Sequence, residues 1–140
     1  MKRIIEFEAD FADDQVEENG EVTQPGGRTA IEAVREALVC QGARTSEVDQ
    51  YSFHSWTFSA SLSGNEVSIF LADLRPKYVL TVEQHGLLEQ LTGASKAVLQ
   101  AALNQTRKAV EHAGGKNLRY YRTYDAADQP CETINEVMSR

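Results

Sequence analysis

The sequence predicts an α+β fold, a two-layer sandwich with helices on one face of a mostly antiparallel sheet, and three observations carry that prediction. The β-rich runs Tyr51–Leu62, Glu66–Ala72 and Lys77–Val82 are separated only by the turn-forming Ser63-Gly64-Asn65 and by Leu74-Arg75-Pro76, as in an antiparallel meander. Within the meander, Trp56, Phe58, Ala60 and Leu62 alternate with Ser55, Thr57, Ser59 and Ser61, so one face is apolar and the other hydroxyl-rich. The two clearest helical periodicities flank this meander and supply the second layer. The predicted order is β-α-β-β-β-α-β, a sheet of four to five strands with two main helices packed on one face.

Taken in order, Arg3–Ala9 reads as a first strand, at an edge, with Glu6 and Glu8 facing water. Residues 10–27 are polar, acidic and closed by Pro25-Gly26-Gly27, which predicts a flexible acidic loop. Thr29-Ala-Ile-Glu32 has capping-box spacing, and Ile31, Val34 and Leu38 form the apolar stripe of a helix over 30–41 that Gly42 can end. In the second meander strand Val67, Ile69 and Leu71 oppose Ser68, Phe70 and Ala72. In the third, Tyr78, Leu80 and Val82 oppose Val79 and Thr81. Leu87-Leu88-Glu-Gln-Leu91 reads as a helical turn, and Leu99, Ala102, Leu103, Thr106 and Val110 predict a long helix over 95–113, ended by Gly114-Gly115. Asn117–Tyr124 reads as a further strand. The 125–140 tail has a weak amphipathic piece through Ile134, Val137 and Met138.

At 140 residues, one domain spanning 1–140 is expected, large enough to bury a core. A hydrophobic content of 41% against 25% charged argues against wholesale disorder. No apolar run approaches the roughly 20 residues that cross a bilayer, and Glu6 and Glu8 fall where a signal peptide would need an apolar segment, so no membrane partner and a cytoplasmic location are expected. The two cysteines, Cys40 and Cys131, lie far apart outside any CxxC spacing, and Cys40 is expected to be a small buried thiol on the helix. The net charge of −7 is uneven: residues 1–27 carry eight acids against Lys2 and Arg3, and residues 96–122 carry six bases against Glu111.

Candidate chemistry is sparse. The acids Asp10, Asp13, Asp14, Glu17 and Glu18 offer oxygen ligands but lack EF-hand spacing, so they read as solvated charge rather than a metal site. The histidines, His54, His85 and His112, match no metal motif, and no cofactor is implied. Glu83 and His85 fall on one side of a strand end as an acid–base pair, yet no G-x-S-x-G turn exists to present a serine. Gln24-Pro-Gly-Gly-Arg28 precedes a helix N-terminus, where anions can sit, without phosphate-loop spacing. Arg119, Tyr120, Tyr121, Arg122 and Tyr124 interleave cations with rings, which is what single-stranded nucleic acid requires.

The expected function is therefore that of a small acidic interaction or regulatory module rather than an enzyme. In size and charge it is of the general kind that includes bacterial immunity proteins and secretion chaperones. Its partner would be a protein, basic in character, engaged through Asp13, Asp14, Glu17 and Glu18 and through Tyr51, Phe53 and Phe70, and a homodimer is compatible with it. The alternative is nucleic-acid binding by the 116–124 strand, weighed against an isoelectric point near 4.9. A small hydrolase built on Glu83 and His85 ranks third.

Overall fold

The computed structural model describes residues 1–85, 94–125 and 127–140. The meander falls where alternation placed it. Strands β6 (Ser55–Leu62), β7 (Asn65–Leu74) and β8 (Lys77–Gln84) pair antiparallel in unbroken register, with Trp56 opposite Leu71 and Phe70 opposite Thr81. Burial in β6 alternates strictly, and Trp56, Phe58, Ala60 and Leu62 all point into the core as the sequence requires.

The sheet is larger than expected, with seven strands rather than four to five. Its order is β4-β6-β7-β8-β1-β9, with β5 also on β6. The additions at one edge are short: β4 (Arg44–Thr45) and β5 (Asp49–Gln50) both pair with β6. The strand predicted to begin at Tyr51 instead begins at Ser55. Tyr51–His54 form the turn between β5 and β6, closed by Tyr51 N–H donating to the Ser55 carbonyl at 3.0 Å.

Strand β1 (Lys2–Glu8) is not an edge. It lies between β8 and β9 (Lys116–Tyr121), antiparallel to both, so both of its edges are paired, and Arg3 to Phe7 are buried. The expectation that Glu6 meets water therefore fails: Glu6 is 3% exposed. Glu8 is only partly covered.

Helices α1 (Arg28–Cys40), α2 (Ala94–His112) and the short α3 (Ile134–Met138) pack on one face. Ile31, Val34 and Leu38 of α1, Leu99, Leu103 and Val110 of α2, and Ile134 and Val137 of α3 join Ile5, Phe7, Trp56, Phe58, Ile69 and Leu80 in one core. Both long helices close with paired turn hydrogen bonds, Ala43 N–H to Leu38 and Gly42 N–H to Val39, then Gly115 N–H to Val110 and Gly114 N–H to Glu111. Cys131 is buried and bridges Tyr120 through two backbone hydrogen bonds, whereas Cys40 is exposed, contrary to expectation. The helical turn predicted at 87–91 lies outside the described residues.

The 10–27 segment holds structure that the loop reading missed. Strands β2 (Val16–Glu18) and β3 (Glu21–Gln24) form a hairpin around Asn19-Gly20, both in the left-handed region at φ 54° and 81°. Among the described residues these two strands pair only with each other.

Candidate functional site

The hairpin is held at its base by one carboxylate. Asp14 Oδ1 accepts from the Gly27 N–H at 2.9 Å, and Asp14 Oδ2 accepts from the Thr29 N–H at 2.7 Å and the Thr29 hydroxyl at 2.8 Å. This is an N-cap supplied from outside the helix, and it replaces the Thr29–Glu32 capping box that the spacing suggested. Gly27, at φ 104°, turns the chain into α1, and a β-carbon there would stand 3.0 Å from Leu71 Cδ2. Burial acts to raise the Asp14 pKa, but the hydrogen bonds from Thr29 and Gly27 outweigh it, and the carboxyl lies below its ordinary range. Trp56 completes the anchorage: its indole N–H donates to the Pro25 carbonyl at 3.2 Å, and the Arg28 guanidinium stands 5.5 Å from its ring centre.

Beyond that base the hairpin stands in solvent. Glu17, Glu18 and Glu21 are exposed, as are Val16 at 41% and Val22 at 45%. Asp13 turns back to accept the Gln15 N–H, and Gln15 donates to Glu17. The acids named from the sequence therefore divide, with Asp14 building the fold and Asp13, Glu17 and Glu18 exposed on the surface. Asn19-Gly20 was the signal for the hairpin, obscured because the flanking runs lack apolar alternation.

Tyr51, Phe53 and Phe70 gather at the same end of the sheet as the hairpin base. Pro25 to Gly27 sit against Trp56, Leu71 and Asp73, and the Tyr51–His54 turn lies where Ser55 pairs with Ala72. Phe53 is 81% exposed at the turn tip, while Tyr51 leans edge-on over Phe70, with ring centres 4.8 Å apart. Leu74 is a further exposed apolar group at this end. A surface groove of about 790 Å³ runs nearby, between Asp10-Phe11-Ala12, Arg75-Pro76, Tyr78 and Lys116.

The described helices pack on one face of the sheet, and the opposite face is partly covered: Tyr124 folds onto it at Glu6, and Ile4, Glu6 and Val79 there are buried. Register sets Thr57, Phe70, Thr81 and Ile4 in one row, with Asp49 at its end, and Ser55, Ala72, Val79, Glu6 and Arg119 in the next, so only the stretch across β7 and β8 is uncharged. A cavity of about 270 Å³ lies over Phe70, Ala72, Val79 and Thr81, with Tyr51 at its side. Around that stretch the charges balance. Lys2, Arg44, Lys77, Lys116 and Arg119 share the face with Glu6, Glu8, Asp49, Glu66 and Glu83, although the whole chain carries −7.

The basic-aromatic strand does not act as one surface. Tyr120 points into the core, whereas Arg119 and Tyr121 face the side away from the helices. Tyr124 folds back so that its hydroxyl donates to Glu6 Oε2 at 2.6 Å, and it meets Tyr121 edge-on at 5.2 Å. Lys77 Nζ is 3.3 Å from Glu6 Oε1. The Glu6 hydrogen bond, aided by burial, pushes the Tyr124 phenol up to about 12. A carboxylate at the centre of this cluster repels phosphate, and Arg122 is an exposed flank. In a near-ultraviolet absorbance titration one tyrosine should ionise near pH 12. Glu6→Gln should return it toward the ordinary range of about 10. The phenol stays protonated in the folded chain where the unfolded chain ionises, so this contribution to stability is full below the unfolded pKa. It falls as pH rises toward the folded one.

Glu83 and His85 do not form the expected pair: His85 Nε2 instead hydrogen-bonds the Ser68 hydroxyl. The cavity over Phe70 and Val79 reaches Glu83 but is lined by neither Ser68 nor His85. Among the described residues, no three His, Cys, Asp or Glu side chains group as a metal centre needs. No described helix is long and apolar enough to cross a membrane. Compared with family models and with curated proteins, the chain matches none.

Proposed function

We propose that the protein is a non-catalytic interaction module that engages a basic protein partner. Contact is made through the β2–β3 hairpin and the exposed apolar end beside it. One observation carries the reading: the hairpin is fixed at its base, yet among the described residues its strands pair only with each other, leaving Glu17, Glu18, Glu21, Val16 and Val22 in solvent. A two-stranded hairpin alone is marginal in water, and one that projects with carboxylates and valines suits addition of a cationic, partly apolar segment. Phe53 at 81% exposure and Leu74 at 51% supply apolar anchors close to the hairpin base. Carboxylates at the rim speed encounter with a basic surface and make it salt-sensitive.

The test is affinity capture from native lysate with the whole protein and with a Glu17→Gln, Glu18→Gln, Glu21→Gln variant. A basic protein should be retained, lost on the variant, and released by raised salt. Equal recovery on both proteins, or recovery only of acidic proteins, would sink the reading. Asp14 stays intact in this variant, because neutralising it would confuse loss of fold with loss of binding.

A further inference from the structure

We infer that the groove across the ends of β8, β1 and β9 takes a cationic side chain, an arginine of the basic partner, as a specificity contact. Only the source of that arginine rests on the function proposed above; the site rests on the groove itself. One wall is Ala9–Ala12, the stretch that leads from β1 toward the hairpin, and another is Arg75-Pro76. Lys116 lines it from β9, and Tyr78 forms its floor. At about 790 Å³ it has room for a side chain and the backbone that carries it.

Two observations point to a ligand and to its charge. The first is Tyr78, which is 1% exposed, its ring stacked on Phe7 and edge-on to Phe11. Its hydroxyl nevertheless has no hydrogen-bond partner among the described residues. Burial holds the phenol above its ordinary pKa, so it is neutral and can both accept and donate. A hydroxyl left unpaired in so buried a ring costs free energy that an N–H of a ligand recovers. The second observation is the balance of charge. Both bases that line the groove already face acids. Arg75 Nε donates to Asp73 Oδ2 at 3.1 Å and Nη1 to the Phe11 carbonyl at 3.3 Å. Lys116 stands 3.9 Å from Asp10, beyond hydrogen-bond reach, and the Asp10 side chain is 98% exposed. Glu8 accepts from the neutral Asn117 amide and makes no ion pair among the described residues, since its neighbour Lys77 is drawn to Glu6. Asp13 adds its charge, acting on both Arg75 and Tyr78. Glu8, Asp10, Asp13 and Asp73 therefore outweigh Arg75 and Lys116. A guanidinium can serve a carboxylate and a phenol with separate N–H groups, while its stem lies along Phe11 and Pro76.

Titration of the isotopically labelled full chain with N-acetylarginine amide, followed by amide chemical shifts, tests the site without the partner. Shifts should gather at Ala9–Ala12, Arg75 and Tyr78. N-acetylcitrulline amide, which keeps the shape and lacks the charge, should bind about tenfold more weakly. Tyr78→Phe removes the hydroxyl and keeps the ring, and Asp10→Asn removes one exposed charge. Each should weaken the arginine probe by about fivefold and leave the thermal midpoint unchanged. Lys116→Gln removes the cation that now faces Asp10 and should tighten binding, which a purely structural role would not do. Scattered shifts or none, equal binding of the citrulline probe, or indifference to both Tyr78→Phe and Asp10→Asn overturns the inference. The Glu17, Glu18, Glu21 glutamine variant should bind the arginine probe as the unaltered protein does. Probe binding at the groove with no basic protein captured from lysate would fault the proposed function and leave the site standing. Capture of a basic protein without probe binding would fault the groove alone.

Discussion

Trp56→Ala should lower the free energy of unfolding by about 3–5 kcal/mol, the largest effect expected of any substitution considered. Trp56 is 5% exposed in the core beneath α1. Removing the indole leaves a cavity bounded by a sheet and a helix, neither of which can collapse freely into it. The indole N–H also satisfies the Pro25 carbonyl, and the ring carries Arg28. The loss should therefore appear in two places. Chemical denaturation should show a lower midpoint, and hydrogen exchange should show weaker protection at the start of α1. A decrease below about 1 kcal/mol would mean the site is not packed as described, since surface substitutions lie in that range.

Asp14→Ala should cost about 2 kcal/mol, at the upper end for a lost helix cap, because three donors lose one acceptor together. Asp14→Asn tests the charge apart from the shape, since an amide can still accept but cannot serve all three donors with both of its atoms. The pH dependence has a definite sign. The native carboxyl lies below its ordinary value, so its contribution is full above the unfolded-state pKa and disappears as pH falls through the native one. The difference in stability between wild type and Asp14→Asn should therefore shrink with acidification. A constant difference from neutral to acid pH would show that the carboxylate charge plays no part.

How far the chain could be read in advance depended on the distance over which each signal acts. The β6–β8 meander was legible because alternation and turn residues are local, and the register needed nothing else. Helices α1 and α2 were legible from apolar spacing and the glycines after them. The capping of α1 was misread because Thr29 and Glu32 have the right spacing while the group that wins, Asp14, lies on another element. Nothing local ranks a remote carboxylate above a neighbouring one. The position of β1 was misread for the same reason. A glutamate in a strand reads as wet, and Glu6 is dry only because Lys77 and Tyr124 arrive from far along the chain. The small strands β4 and β5 are two residues each, too short to carry a period. At the candidate site, the acids and aromatics were legible as residue types. Their division into a fold-building Asp14 and exposed Glu17 and Glu18 was not.

The interior position of β1 bears on how the molecule is made. Its neighbours are β8 and β9, so Ile5 finds its partners at Leu80 and at Tyr120. Strand β1 thus gains its second neighbour only when β9 arrives, and sheet closure waits on sequence more than a hundred residues downstream. Such non-local closure slows folding and leaves apolar strand exposed in the interval. Ile4, Ile5 and Phe7 must remain paired on one edge at most until β9 is made. Production of this protein should therefore depend on chaperone supply and growth temperature more steeply than its final stability alone would suggest.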